Sequence, residues 1–236
     1  MIYLRSFLFQ LFFWLWSAPL AILMLLTLPL PRAVNRACLR LWSKTVIFAL
    51  RWLAGVKVEV RGRENVPTGP AVVAAKHQSM FDVFSQFALM PDPCFVMKKE
   101  LMMVPLFGWH GLKARMIVVD RGGHSTALKK LVRDAVERMK ETRQVVIFPE
   151  GTRGKVGAPG DYKPGIAALY RELELPVTPL ALNCGVHWNK GFLIKPGVIV
   201  FHYLEQIPAG LKRGEFMREL QTRIDTATKA LEDEGI

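Results

Sequence analysis

The stretch Ala71-Val72-Val73-Ala74-Ala75-Lys76-His77-Gln78-Ser79-Met80-Phe81-Asp82 decides how this chain is built. Its first five residues are apolar without interruption, the pattern of a strand buried on both faces inside a parallel sheet. A polar run with a histidine and an aspartate follows. A buried strand that gives way to a turn and a helix is the repeating step of an α/β fold, and such sheets collect their chemistry where strands end.

Outward from this stretch the same step recurs. Short runs rich in Val and Ile, bounded by Gly or Pro, fall at 56–60, 94–97, 116–119, 145–148, 177–182 and 198–203. Between them, 125–140 puts Leu128, Leu131, Val132, Ala135, Val136 and Met139 on one helical face. Pro164 suits the first turn of a helix reaching about residue 174, and a last helix covers about 213–232. The expected class is α/β, a mostly parallel or mixed sheet covered by helices, preceded by an N-terminal two-helix membrane-associated segment. No internal repeat, low-complexity tract or long linker interrupts it.

That N-terminal segment reads differently from the rest. Residues 7–30 carry no charge and are dense in Phe, Trp and Leu. As a helix the run would be roughly 36 Å long, against a hydrocarbon core of about 30 Å. Arg5 before it suits a signal peptide, but the run is long for a signal core and Arg32 and Arg36 follow it, so an uncleaved anchor is expected. Pro19 predicts a kink, and Pro29 and Pro31 an end. Arg32, Arg36, Arg40, Lys44 and Arg51 then share one helical arc, with Val34, Ala37, Leu41, Thr45, Phe48, Ala49 and Trp52 opposite. Such a helix should lie flat, its apolar face among acyl chains and its cations on lipid phosphates. A basic flank beside a spanning anchor puts the remainder on the cytoplasmic face of the inner (plasma) membrane. The expected division is 1–54, anchor plus basic interfacial helix, and 55–236, one globular domain.

Composition narrows the partners. The 236 residues are 51% apolar with a net charge of +12, which calls for an anionic partner: nucleic acid, anionic lipid or a phosphorylated substrate. Five of the cations lie on one helix beside an apolar run, which fits lipid phosphate better than nucleic acid. Cys38, Cys94 and Cys184 are scattered, without a C-x-x-C or a histidine at ligand spacing, so neither a disulfide framework nor a metal site is expected.

Two places carry chemistry, each just past an expected strand. His77 is suited to take a proton near neutral pH, and a carboxylate such as Asp82 can fix its tautomer. Five positions apart on a straight helix they would diverge by about 140°, so the pair works if His77 lies before the helix and Asp82 in its first turn. The plainer alternative is a helix cap, because Ser79 and Asp82 have capping-box spacing. The second place is Phe148-Pro149-Glu150-Gly151-Thr152-Arg153. Such a turn can hold an anion by backbone donors and a guanidinium fork, or it simply ends a strand with a solvated arginine.

With two further blocks, the chain resembles the glycerolipid acyltransferase family, in particular its 1-acylglycerol-3-phosphate acyltransferase branch. The blocks, in order, are His77 to Asp82; Phe107-Gly108-Trp109 to Ile117-Val118-Val119-Asp120-Arg121; Phe148 to Arg153; and Leu175-Pro176-Val177-Thr178-Pro179-Leu180-Ala181-Leu182. The resemblance covers about 56–205. It implies that residues 55–236 form a catalytic domain moving an acyl chain from acyl-CoA or acyl carrier protein to the sn-2 hydroxyl of a lysophosphatidate, giving phosphatidate.

In that reading His77 is the general base and Asp82 orients it. Arg121 and Arg153 hold the acceptor phosphate, Glu150 and Gly151 shape the pocket with Phe148, Pro149 and Thr152, and Lys99 is a further candidate. No cofactor is implied beyond the thioester co-substrate, and the partners are lysophosphatidate and membrane lipid, with no nucleic acid. No acyl-enzyme is implied, which suits the lack of a cysteine near His77 in the chain; Ser79 is better explained as a helix cap than as a nucleophile. Lys76 departs from the Asn of many relatives, and a cation there could hold a phosphate or lower the histidine's pKa. Two alternatives stay open: another acceptor, such as a lyso-ornithine lipid or a lysophospholipid with a larger headgroup, and a thioesterase or hydrolase using the same histidine on water.

Overall fold

The computed structural model describes residues 1–120, 122 and 124–235. Helix α1 (Ile2–Leu23) runs into a 3-10 turn, Met24–Thr27, and α2 (Arg32–Ala49) starts after Pro31. The chain then alternates: β1 (Val56–Arg61), β2 (Ala71–Ala75), the short helices α3 (Phe81–Phe84) and α4 (Gln86–Leu89), β3 (Pro93–Lys98), α5 (Phe107–Lys113), β4 (Ile117–Val119), α6 (His124–Lys140), β5 (Gln144–Ile147), α7 (Gly165–Leu173), β6 (Val177–Leu182), α8 (Cys184–His187), β7 (Gly197–Tyr203) and α9 (Arg213–Gly235).

The strands join in one sheet of order β1-β7-β6-β2-β5-β3-β4, parallel except for the antiparallel β6–β7 pair. β2, β5 and β6 are buried along their whole length, because helices cover both faces. Side-chain alternation sorts them. Val73 and Ala75 join a core with Phe81, Phe84, Trp188 and Phe201, whereas Val72 and Ala74 meet Leu131, Ile166, Leu169 and Phe216 from α6, α7 and α9.

The N-terminal helices are packed on the first of these faces. Phe9 and Phe13 of α1 are buried edge-on against Trp188, at centroid distances of 5.2 and 5.8 Å. Ser6 Oγ accepts from the Ile194 amide at 2.9 Å, and Arg5 Nε donates to Leu53 O at 3.2 Å. Only this stripe is covered. Tyr3, Leu4, Phe7, Leu11, Trp14 and Leu15 are exposed, and 17% of the most apolar window in Ile2–Thr27 is buried. Among the described residues it is the one helix long and apolar enough to cross a membrane.

The cations of α2 depart from expectation. Arg32 and Arg36 do not point to an outer phosphate layer but close on Asp92, at 2.7 and 3.0 Å. Arg40 donates to the carbonyls of Met90 and Pro91, each at 2.8 Å. The loop before β3 presents a carboxylate and two open carbonyls, and fixed acceptors in a protein surface compete well for guanidinium forks. Lys44 and Arg51 remain exposed, Arg51 over the Trp52 ring. On the opposite face Val34, Leu41, Phe48 and Trp52 are exposed as expected, whereas Ala49 is buried in the core with Phe9 and Phe13.

Candidate active site

Neighbouring parallel strands deliver their C-terminal ends side by side. Ala74 of β2 pairs with Ile147 of β5, so three residues further on His77 and Glu150 meet, and the His77 amide donates to Glu150 Oε1 at 3.1 Å. On the other flank Ala75 pairs with Leu180 of β6, which brings Cys184 to the same end of the sheet.

His77 lies just before α3 and Asp82 in its first turn, the arrangement the spacing requires. His77 Nδ1 and Asp82 Oδ2 are 3.1 Å apart. A carboxylate only accepts, so Nδ1 is the donor, and in the neutral imidazole that tautomer leaves the lone pair on Nε2. Nε2 has no partner among the described residues, and the ring stacks on Phe148 at 4.3 Å, with Phe148 in turn parallel to Phe95. Asp82 is fully buried and the same Oδ2 also accepts from the amides of Gln78 and Ser79, the latter at 2.6 Å. Ser79 Oγ accepts from the Phe81 amide at 3.2 Å. Cap and imidazole–carboxylate pair are therefore one structure: the carboxylate that closes the helix start also holds the imidazole.

Cys184 is far from His77 in sequence yet its thiol adjoins Asp82. Burial first, and then the Asp82 charge, push that thiol well above its usual range. A thiol held neutral this way is no nucleophile.

The turn after β5 follows the Phe148-to-Arg153 block. Gly151 has φ +67°, a conformation that favours glycine, and its amide bonds Phe148 O at 2.9 Å. Pro149 O accepts from the Lys163 amide at 2.8 Å, and the Gly154 amide donates to His77 O at 2.8 Å, tying the loop to the histidine. Glu150 is buried; burial raises its carboxyl above the usual range although Lys76 and the His77 amide oppose this. Thr152 is exposed, and Arg153 is half-buried without a hydrogen bond to any described residue. Lys99 stands at the end of β3, 67% exposed and 3.2 Å from Asp120 at the end of β4. Arg121 lies outside the described residues.

Lys76 is where the geometry changes the reading most. It is 1% exposed, with Nζ 3.0 Å from Asp225 and 3.7 Å from Glu150, so its ammonium is not offered to a substrate phosphate. Asp225 and its neighbour in the same seam, Glu232, were not singled out from sequence. Both sit on an amphipathic terminal helix where acids ordinarily face water.

A histidine backed by a buried carboxylate at strand ends, beside a glycine turn and a half-buried arginine, is the arrangement that general-base chemistry next to a bound anion requires. A profile of the acyltransferase family matches residues 57–183, more than half of the chain, and the chain belongs to that family.

Among curated relatives, a Pseudomonas aeruginosa 1-acyl-sn-glycerol-3-phosphate acyltransferase is 40% identical over 71% of this chain and 66% of its own length. The Cocos nucifera protein of the same name is 31% identical over 78% of this chain and 60% of its own. The matched region thus spans less than two thirds of these relatives. The crystal structure of PlsC, a 1-acyl-sn-glycerophosphate (LPA) acyltransferase from Thermotoga maritima, superposes over 98% of both chains with a TM-score of 0.78 at 21% identity, so the two share a fold.

Proposed function

We propose that this protein acylates the sn-2 hydroxyl of 1-acylglycerol-3-phosphate, giving phosphatidate, with acyl-CoA or acyl carrier protein as donor. The observation that carries the reading is the imidazole itself: Nδ1 committed to a buried carboxylate and Nε2 without a partner among the described residues. His77 Nε2 takes the proton of the acceptor hydroxyl as its oxygen attacks the thioester carbonyl. The tetrahedral intermediate collapses, the C–S bond breaks, and the imidazolium returns the proton to the departing thiolate. Asp82 stabilises the imidazolium between these steps. Arg153, with Arg121, binds the acceptor phosphate.

A lipid acceptor has to be taken at a membrane surface. The exposed apolar side chains of α1 and α2 support membrane association, and Met103, Phe107, Trp109 and Leu112 in and before α5 extend the same character. α5 is tied to α1 by His110 Nε2, which donates to Ala21 O at 2.9 Å. In this reading the catalytic domain faces the cytoplasm.

The test uses membranes carrying the wild-type protein or His77→Ala, labelled lysophosphatidate and each thioester in turn. Phosphatidate formed by the wild type alone is expected. Equal formation by both would refute the histidine's role. Acylation of other lysolipids only would refute the acceptor, and free fatty acid without acylated lipid would favour the hydrolase.

A further inference from the structure

His77 is flanked by Lys76 and Gln78, and neither belongs to the imidazole–carboxylate pair. In extended backbone, neighbouring side chains leave on opposite sides. The His77 ring turns to Phe148 and Asp82, while Lys76 and Gln78 both turn to α9. There they meet Asp225 and Glu232, seven positions apart and hence on one helix face.

Each carboxylate uses one oxygen on the histidine segment and the other on the loop after Arg153. Asp225 Oδ1 takes the Lys76 ammonium at 3.0 Å, and its Oδ2 accepts from the Gly160 amide at 3.0 Å. Glu232 Oε1 accepts from Gln78 Nε2, and its Oε2 accepts from the Gly157 amide at 2.9 Å. Gln221, about one turn earlier on α9, donates to Gly160 O at 2.7 Å. Gln78 Oε1 in turn accepts from the Gly185 amide at 3.1 Å. Two side chains of one helix thus clasp both halves of the site. Lys76, Gln78 and Glu232 are all at least 96% buried. Desolvating such charges is expensive, and apolar packing would hold a helix as well or better. What the polar seam adds is direction, because hydrogen bonds fix the register of two loops in a way that apolar contact does not.

Resting on the acyl-transfer reading above, we infer that Lys76, Asp225 and Glu232 are positioning residues: α9 sets the distance between His77 and the anion pocket through them. Lys76 is an internal ammonium that joins Glu150 to Asp225.

The test is a double-mutant cycle in the full chain, with Lys76→Met and Asp225→Asn singly and together, reading kcat and KM for lysophosphatidate. Each single change is expected to lower kcat about tenfold or more, since small misplacements of reacting groups are costly. KM stays within about twofold, and the double variant is no worse than the poorer single one, as for partners in one network. Additive losses, or a raised KM confined to Lys76→Met, would overturn the inference and make Lys76 a phosphate ligand.

Amide exchange reads the seam without any substrate. Asp225→Asn should speed exchange at Gly160, and Glu232→Gln at Gly157, by about tenfold at little cost to global stability. Unchanged exchange would overturn the inference even if the singly substituted Lys76 protein failed to fold. A wild type that makes no phosphatidate while the exchange effects appear would refute the proposed reaction and leave the clasp standing.

Discussion

Replacing Asp82 with asparagine tests the proposed chemistry with the least disturbance of shape. The carboxylate oxygen lies 3.1 Å from His77 Nδ1, and a unit charge at that distance from an imidazolium is worth about 5 kcal/mol at an effective dielectric of about 20. At the transition state for hydroxyl attack the proton is only partly transferred, so about half of this, roughly 2–3 kcal/mol, should be lost, or about a hundredfold in kcat. If the amide turns its NH2 toward Nδ1 the wrong tautomer results, and the loss grows toward about 10⁴. With its oxygen in the place of Oδ2, the asparagine still accepts from the Gln78 and Ser79 amides, so the start of α3 holds and Tm should move by only a few degrees, about 5 °C or less; the turned amide would give up both bonds. The assay is phosphatidate formation under saturating lysophosphatidate, with KM measured alongside and circular dichroism to confirm folding. A folded Asp82→Asn protein that keeps kcat within about threefold of wild type would refute the charge argument, because that corresponds to well under 1 kcal/mol.

Asp92→Ala removes the partner of Arg32 and Arg36 and takes from the buried Arg143 the nearer of its two carboxylates, 3.4 Å away, leaving Glu141 at 3.8 Å. A loss of about 2–3 kcal/mol is expected in urea unfolding, below the 3–5 of a fully buried pair because Arg36 is half exposed. Burial works to raise the Asp92 carboxyl, but Arg32, Arg143 and Arg36 outweigh it and hold it below the ordinary 3.8. The folded value is the lower one, so this stability is present above about pH 3.8 and fades as pH falls through the folded value. Asp92→Asn should lack that acid-dependent part, and identical acid unfolding of the two proteins would contradict the assignment. Phe148→Leu removes the ring under His77 and should lower kcat about tenfold by loosening the imidazole, checked by kcat at unchanged thermal stability. Phe107→Asp with Trp109→Asp should raise KM for vesicle-borne lysophosphatidate at least about tenfold, as charge replaces inserted apolar surface; an unchanged KM would remove α5 from the membrane face.

Much of this was legible because burial leaves a strong imprint on strands. The runs at 71–75 and 177–182 match β2 and β6 end to end, the first apolar throughout, the second interrupted only by Thr178 and Pro179, and both bounded by polar residues or proline. The His77–Asp82 geometry was legible because only a turn-then-helix could bring the two together. The orientation of the α2 cations was not, since their partner Asp92 is a lone acid in a loop more than fifty positions away, and helical periodicity says which residues share a face but not what covers it. Asp225 and Glu232 escaped for a similar reason. On an amphipathic helix with charges all along one side, nothing local distinguishes a buried carboxylate from a solvated one. α5 was hidden by its two glycines, Gly108 and Gly111, which weaken helix propensity. Gly108 is needed because a Cβ there would lie 2.1 Å from Met102 O.

The seat of α1 has a consequence for how the protein comes into being. Ser6 bonds to Ile194, Phe9 packs on Trp188, and β1 pairs with β7, with Val56 opposite Gly197. The parts made early are matched with parts made late. At about 5–20 residues per second, an emerging α1 waits on the order of ten seconds or more for its aromatic seat, and through that interval lipid is the only apolar phase within reach of a helix so greasy. In the membrane-bound reading proposed above, insertion therefore comes before folding, and the domain closes onto a helix that the bilayer already holds.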